Sequence, residues 1–203
     1  MMTLVRKDLI LIRSSIVSLS IFAAVLCFLL KDPLIPHVLP AVLLVSLASA
    51  SIRWDEQCNW DRYIVSIGVD RNTIVRSKFA TGAILALIGT VTGLVISISM
   101  SYVHDFGDGA SMVTTCPLGF IVGIIVSSVS VAVYYITGNS VKAQYISVVA
   151  NIVVISALIA LSMIAAEAFG DLTLVVLALA AVAAVVVHIC CSVSRRRFAG
   201  IDL

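Results

Sequence analysis

The sequence predicts an all-α membrane protein with six transmembrane helices, and composition and segment length lead to that fold class. Of the 203 residues, 61% are hydrophobic and only 12% are charged, whereas soluble domains carry about 25% charged residues. The apolar runs are close to the roughly 20 residues that a helix needs to cross the hydrocarbon core of a bilayer. A transmembrane barrel would show short strands of alternating hydrophobicity, and these runs are continuous.

Six apolar segments are predicted to cross the membrane, because their central parts contain no Lys, Arg, Asp or Glu. Their predicted bounds are 14–30, 34–52, 79–102, 117–137, 141–166 and 172–191. Helices are favoured since lipid offers no hydrogen-bond partner to the backbone of an open strand. We therefore expect one transmembrane domain over residues 1–203 and no soluble domain.

The first 13 residues combine apolar and basic side chains ahead of the first span. Leu4, Leu9 and Ile12 share one helical face, which predicts an amphipathic helix in the inner headgroup region, before the chain turns into the membrane. A frayed basic terminus is the alternative interpretation.

Basic residues predict the orientation, since cytoplasmic segments of membrane proteins are enriched in Lys and Arg. With a cytoplasmic N-terminus, all 13 Lys and Arg residues except Lys31 fall on the inner side. Both termini are then cytoplasmic. The basic tail at 195–197 is interpreted as a contact with anionic lipid headgroups rather than with nucleic acid.

Three polar residues inside the spans are candidates for a substrate pathway: Asn151, Thr90 and Ser97. An intramembrane amide such as Asn151 more often bonds a neighbouring helix. Thr90 and Ser97 lie on a stripe of small residues that includes Gly89 and Gly93, and such stripes usually allow close helix packing.

The chain lacks the patterns that would let it supply its own energy or chemistry. No ionisable group is expected in the membrane, where ion-coupled transporters place theirs. There is no G-x-x-x-x-G-K-[ST] segment for nucleotide phosphates, and no convincing catalytic or metal-binding pattern. The one candidate for a lipid-modifying site, His104 with Asp105 and Asp108, is better interpreted as a solvated outer loop.

The cytoplasmic loop 53–78 contains most of the functional information. A helix over 54–65 would place Trp60, Tyr63 and Ile64 on one face, since their spacing is i, i+3 and i+4. Gly68 is the expected turn residue after it. Asp70 is then a suitable N-cap for a second helix over 71–78 that runs into the third span.

This loop resembles the first cytoplasmic loop of ATP-binding-cassette (ABC) exporter permeases of the second type, particularly small permeases whose ATPase is a separate polypeptide. Where that family usually shows Leu-Pro, this chain has Ile67-Gly68. The matching elements are Asp55-Glu56, Trp60-Asp61-Arg62-Tyr63, Ser66 to Arg71, and Ile74-Val75-Arg76-Ser77-Lys78-Phe79.

The resemblance implies a permease in a bacterial plasma membrane, in which two permease chains pair and each docks a cytoplasmic ATPase through this loop. It also implies a short re-entrant outer element before the sixth span. The chain would bind no cofactor, and ATP and Mg²⁺ would be bound by the ATPase partner. The residues implied in ATPase coupling are Asp55, Glu56, Trp60, Arg62, Tyr63 and Arg71.

The cargo implied by the resemblance is hydrophobic or amphipathic, such as an antimicrobial or cytolytic peptide, and the uncharged spans agree with it. Two alternatives are a non-transport membrane protein, acting as an assembly factor or sensor without ATPase dependence, and the lipid-modifying enzyme considered above.

Overall fold

A computed structural model of the chain describes residues 1–30, 32, 35–104, 109–169 and 172–199. This described part is all-helical and contains no strand. Its helices are α1 (Met2–Leu30), α2 (Ile35–Gln57), α3 (Trp60–Ser66), α4 (Arg71–His104), α5 (Gly109–Thr137), α6 (Ser140–Phe169) and α7 (Leu172–Ala199).

The prediction of six membrane-spanning helices is confirmed. Six of the described helices are long and apolar enough to cross a membrane, and α3 is the short exception. The described residues of each predicted span lie in a separate helix, which extends beyond the apolar segment at one or both ends, and residue 34 of the second span lies outside the described residues.

α1 differs in shape from the expected entry segment. Residues 2–13 are helical, but they continue without a break into the first span and form a single 29-residue helix. The buried face of this segment contains Val5, Asp8 and Ile12. It therefore packs against the bundle rather than turning aside into the headgroup region.

The connection from α2 to α4 contains two turns where one was predicted. α2 continues to Gln57, and Asn59 then adopts the left-handed conformation, with φ of 51°. The single helix predicted over 54–65 is therefore wrong, because this turn separates α2 from α3. The second turn is as predicted: Gly68 has φ of 88°, and α4 begins at Arg71 directly after Asp70.

α2, α4 and α5 pack at the centre of the bundle. A Cβ atom added to Gly89 on α4 would lie 2.5 Å from the Ala41 Cα, and one added to Gly93 would lie 2.3 Å from the Pro36 carbonyl oxygen. The absence of side chains at these glycines lets α4 approach the backbone of α2 directly. Leu44 and Leu85 are fully buried in the adjoining apolar cluster.

Both terminal segments lie at the same end of the bundle as α3. Leu4 near the start of α1 and Phe198 at the end of α7 pack against one apolar cluster, which also contains Ile64 of α3. We call this the α3 end of the bundle.

Two predicted features of the outer connections fall wholly or partly on residues that the structure does not describe. Asp105 and Asp108 lie outside the described residues. α6 continues to Phe169 and α7 begins at Leu172, so the expected outer element before the sixth span includes positions 170 and 171, which also lie outside them.

Candidate functional site

α3 is packed onto the ends of several long helices by its inward face. Ile64 is 5% exposed and lies among Ile52 of α2, Ile74 of α4 and Val131 of α5. This short helix is amphipathic. Ile64 and the half-buried Val65 pack against the bundle, whereas Tyr63 is exposed. α3 is consequently a surface element whose position depends on the bundle beneath it.

The aromatic residues of this region face outward to different degrees. The Trp60 and Tyr63 rings lie 5.6 Å apart, but Trp60 is half-buried whereas Tyr63 is 56% exposed. The Lys7 ammonium lies 4.7 Å from the centre of the Trp60 ring, within the range of a cation–π interaction. Trp54, at the end of α2, is also exposed.

A buried ion network lies beneath α3 and joins three long helices. Lys78 Nζ of α4 donates to Asp8 Oδ2 of α1 at 2.9 Å and to Asp55 Oδ2 of α2 at 2.5 Å. Lys7 Nζ donates to Asp55 Oδ1, also at 2.5 Å. The side chains of Asp8, Asp55 and Lys78 are nearly inaccessible, whereas that of Lys7 is partly exposed.

This network specifies geometry more than it adds stability. Removing charges from water costs several kcal/mol per ion, which their mutual attraction offsets only when the geometry is good. Once they are buried, each partner makes the others necessary, because an unpaired buried charge is strongly destabilising. The network therefore fixes the ends of α1, α2 and α4 relative to one another.

Sequence reasoning missed this network, although one signal for it was present. Asp8 lies on the face of α1 that contains Val5 and Ile12, at i+3 and i−4 from them. A carboxylate within an apolar helical stripe requires a buried partner. Neither Asp8 nor Lys78 was singled out as a site residue.

The residues expected to couple to an ATPase occupy two different environments. Asp55 is 5% exposed and engaged in the ion network. Arg62 and Tyr63 are exposed, and Glu56 is half-buried. Arg71 is half-buried and donates through Nη1 to the Phe198 carbonyl at 3.2 Å, which ties the start of α4 to the end of α7.

Asp61 faces the network from α3. Its Oδ1 is buried and has no hydrogen-bond partner among the described residues. Burial raises the pKa of this carboxyl group, the negative charges of Asp55 and Asp8 raise it further, and Lys78 and Lys7 oppose the shift.

A separate cavity of about 290 Å³ lies between α2, α5 and α6, towards the α3 end. Within it, Asn151 Nδ2 donates to Ser130 Oγ at 2.9 Å, and the buried Asn151 Oδ1 has no partner in the described structure. At its rim, Arg53 Nη1 donates to Gln144 Oε1 at 2.7 Å. The cavity is thus mainly apolar with a few polar groups, a composition typical of small-molecule sites.

The three candidate pathway residues are not brought together. Asn151 lines this cavity, whereas Ser97 is buried 3.5 Å from His37 Nε2, at the interface of α4 with α2. Thr90 bonds to the carbonyl of Ala86 within its own helix.

A family model described as ABC-2 family transporter protein matches residues 3–196, nearly the whole chain. No curated protein and no solved structure matches the chain. The match includes the six candidate spans, apart from Met2 and the last residues of α7, and the entire ion network. The chain is a multi-pass membrane protein that belongs to the ABC-2 transporter family.

Proposed function

We propose that this chain is the permease subunit of an ABC exporter and that α3 is the element on which a separate cytoplasmic ATPase docks. The observation that carries this proposal is the construction of α3. Its outer face presents Arg62 and Tyr63, while its inner face rests on the ends of α2, α4 and α5. A push on α3 is therefore passed directly to membrane-spanning helices.

ATP binding can shift the membrane domain only as far as the docked ATPase favours one of its conformations over another. A rigid contact serves this purpose, since a loose loop would absorb the movement. The burial of Ile64 and the ion network beneath it supply that rigidity. In this proposal ATP and Mg²⁺ are bound by the ATPase, and two permease chains, identical or similar, form the complex.

The α3 end is assigned to the cytoplasm, with both termini inside a bacterial plasma membrane. This assignment is supported by the distribution of basic residues, which are enriched in cytoplasmic segments. Arg62 lies in α3, Arg71 begins α4, and the 195–197 cluster lies near the end of α7.

The proposed cargo is a hydrophobic or amphipathic molecule, such as a cytolytic peptide. A cavity of about 290 Å³ would accept one apolar side chain or a short segment of such a molecule, not a folded peptide. The buried Asn151 Oδ1 offers a hydrogen-bond acceptor to a cargo N–H or O–H group.

Docking is tested by co-expressing the chain with the ATPase encoded nearest to it and by measuring co-purification and ATP hydrolysis in lipid. We expect Arg62→Ala combined with Tyr63→Ala to reduce co-purification at least about tenfold, since loss of each good interface contact costs more than about 1 kcal/mol. Both side chains are exposed, so the permease should remain folded.

The matched control is Tyr145→Ala. Tyr145 is 73% exposed and lies near the start of α6, which is at the α3 end of the bundle. Undiminished co-purification of the double variant would refute docking through α3. Failure of every neighbouring ATPase to bind would favour an accessory or sensor protein.

A further inference from the structure

Two carboxylate oxygens without hydrogen-bond donors face one small cavity under α3. They are Asp61 Oδ1 and Asp8 Oδ1, both buried. Lys7 Nζ lies 3.1 Å from the second oxygen, as an ion pair without hydrogen-bond geometry. The cavity, with a volume of about 10 Å³, is lined by both aspartates and by Asp55 and Lys78. It has room for about one water molecule.

The charges around this cavity do not balance. Three carboxyl groups face two ammonium groups, so the site has an excess of one negative charge when all are ionised. Among the described residues, none of those that line the cavity belongs to α5. The charged groups are Lys7 and Asp8 from α1, Asp55 from α2, Asp61 from α3 and Lys78 from α4.

We propose that this cavity is a proton-binding site, in which a proton on Asp61, hydrogen-bonded through one water molecule to Asp8, seats α3 against the ion network. The protonated Asp61 carboxyl donates to the water oxygen, and the water donates to Asp8 Oδ1. The proton is assigned to Asp61 because Asp8 and Asp55 each accept a hydrogen bond from Lys78, whereas the buried Asp61 Oδ1 has no donor among the described residues. Uptake of one proton then brings the site to neutrality.

A metal cation does not fit this site. About 10 Å³ leaves no room for an ion with its own water ligands, and the two lysines would repel it. Among the described residues no group of three or more His, Cys, Asp or Glu could hold a metal ion. The chemistry favours a proton, which needs one acceptor and almost no volume.

Linkage determines how this site responds to pH. Two states of α3 are compared: seated, when α3 packs on the bundle, and released, when it has detached and Asp61 is solvated. Burial raises the pKa of Asp61 in the seated state above its ordinary value of 3.8, so the seated state binds the proton more tightly than the released state. The contribution of Asp61 to seating is complete below the pKa of the released state and is lost as pH rises through the raised pKa of the seated state. The significance for transport rests on the proposed function, in which a firmly seated α3 transmits ATPase movement best.

Trp60 reports the position of α3, since it precedes Asp61 and stacks on Lys7. The chain has two tryptophans, so Trp54→Phe leaves Trp60 as the only one. The full chain in lipid nanodiscs, without ATPase, is titrated from about pH 4 to about pH 9, a range that covers raised carboxyl pKa values. We expect Trp60 emission to shift to longer wavelength as pH rises, with a midpoint above 3.8.

Two variants identify the proton-binding group. Asp61→Asn, which is neutral at every pH, should lose the transition and retain the short-wavelength emission throughout. Asp70→Asn, a control at an exposed carboxylate, should still show the transition. The proposal is overturned if the Trp54→Phe chain shows no transition, if Asp61→Asn still shows it, or if Asp70→Asn abolishes it.

Hydrogen exchange of the unmodified chain gives a second, variant-free measurement. Amides of α3, corrected for the pH dependence of chemical exchange, should exchange faster at high pH. The largest possible increase is about tenfold for each unit by which the seated pKa exceeds the released one. Unchanged corrected rates would also refute the proposal. Neither measurement involves an ATPase, so failure of the docking proposal would leave both results unaffected.

Discussion

Lys78 and Asn151 show how single polar residues act in an otherwise apolar bundle. Lys78 donates to two carboxylates on two other helices, so its ammonium is part of the packing of the helix ends. Asn151 makes one hydrogen bond with its amide nitrogen and leaves its oxygen available to a cavity. The first residue has a structural role, whereas the second can contact a bound molecule.

Replacing Lys78 with Met should lower the free energy of unfolding by about 3–5 kcal/mol, because Asp8 and Asp55 lose a buried partner. Adding Asp8→Asn and Asp55→Asn should recover much of this loss, since the unpaired charges disappear. Denaturant titration in mixed micelles measures both effects. Lys142→Met, at an exposed position, is the control. A triple variant no more stable than Lys78→Met would contradict the assignment of a buried charge network.

Asn151→Leu should raise the cargo concentration that gives half-maximal stimulation of ATPase activity in the permease–ATPase complex. The leucine fills part of the cavity and removes the buried acceptor. Thr90→Val is a comparison at another candidate pathway residue, whose side chain bonds within its own helix. If Thr90→Val shifted the response and Asn151→Leu did not, the pathway would lie along α4 instead.

At the scale of elements, the central contact is between α2 and α4. Their close approach depends on the missing side chains of Gly89 and Gly93, because in lipid the association of helices relies on packing rather than on exclusion of water. α2 contributes Pro36, Ala41 and Leu44 to this region, so the second and fourth helices are in close backbone contact along it.

Gly89→Val should destabilise the protein by about 1–3 kcal/mol or more through overpacking against the α2 backbone. The added Cβ would meet Ala41 Cα at 2.5 Å, a contact that only separation of the helices can relieve. Thermal unfolding in detergent would show a lower midpoint. Leu87→Val, at a 55% exposed position of the same helix, should change it little, and an equal loss there would point to helix propensity as the cause.

The six spans were predictable because each is a long, continuous apolar run, and the turn at Gly68 was predictable from its neighbours. The break at Asn59 was not, since Cys58-Asn59 gives a weak signal between two helix-compatible segments. The network of Lys78, Asp8 and Asp55 depends on which helices become neighbours, and local sequence patterns do not determine that.

At the scale of the whole molecule, the arrangement of ends is the main result. α3, the start of α1 and the end of α7 meet at one end of the bundle, as expected for a chain with both termini on the same side of the membrane. Under the proposed orientation, this end faces the cytoplasm.

Impermeant thiol reagents test this orientation in intact cells, using chains with a single cysteine. Asp32→Cys, between α1 and α2, should react, whereas native Cys58, which is exposed at the α3 end, should react only after permeabilisation. Reactivity of Cys58 in intact cells together with protection of Asp32→Cys would reverse the topology.

The continuity of α1 has a mechanical consequence. Its 29 residues give a rod about 43 Å long, with the lysine and aspartate of the ion network near one tip and Leu30 at the other. Because α1 is one continuous helix, it would move as a lever: a tilt of about 5° around the tip at the network would displace the opposite tip by about 4 Å. Small rearrangements beneath α3 would therefore be amplified at the far face of the membrane.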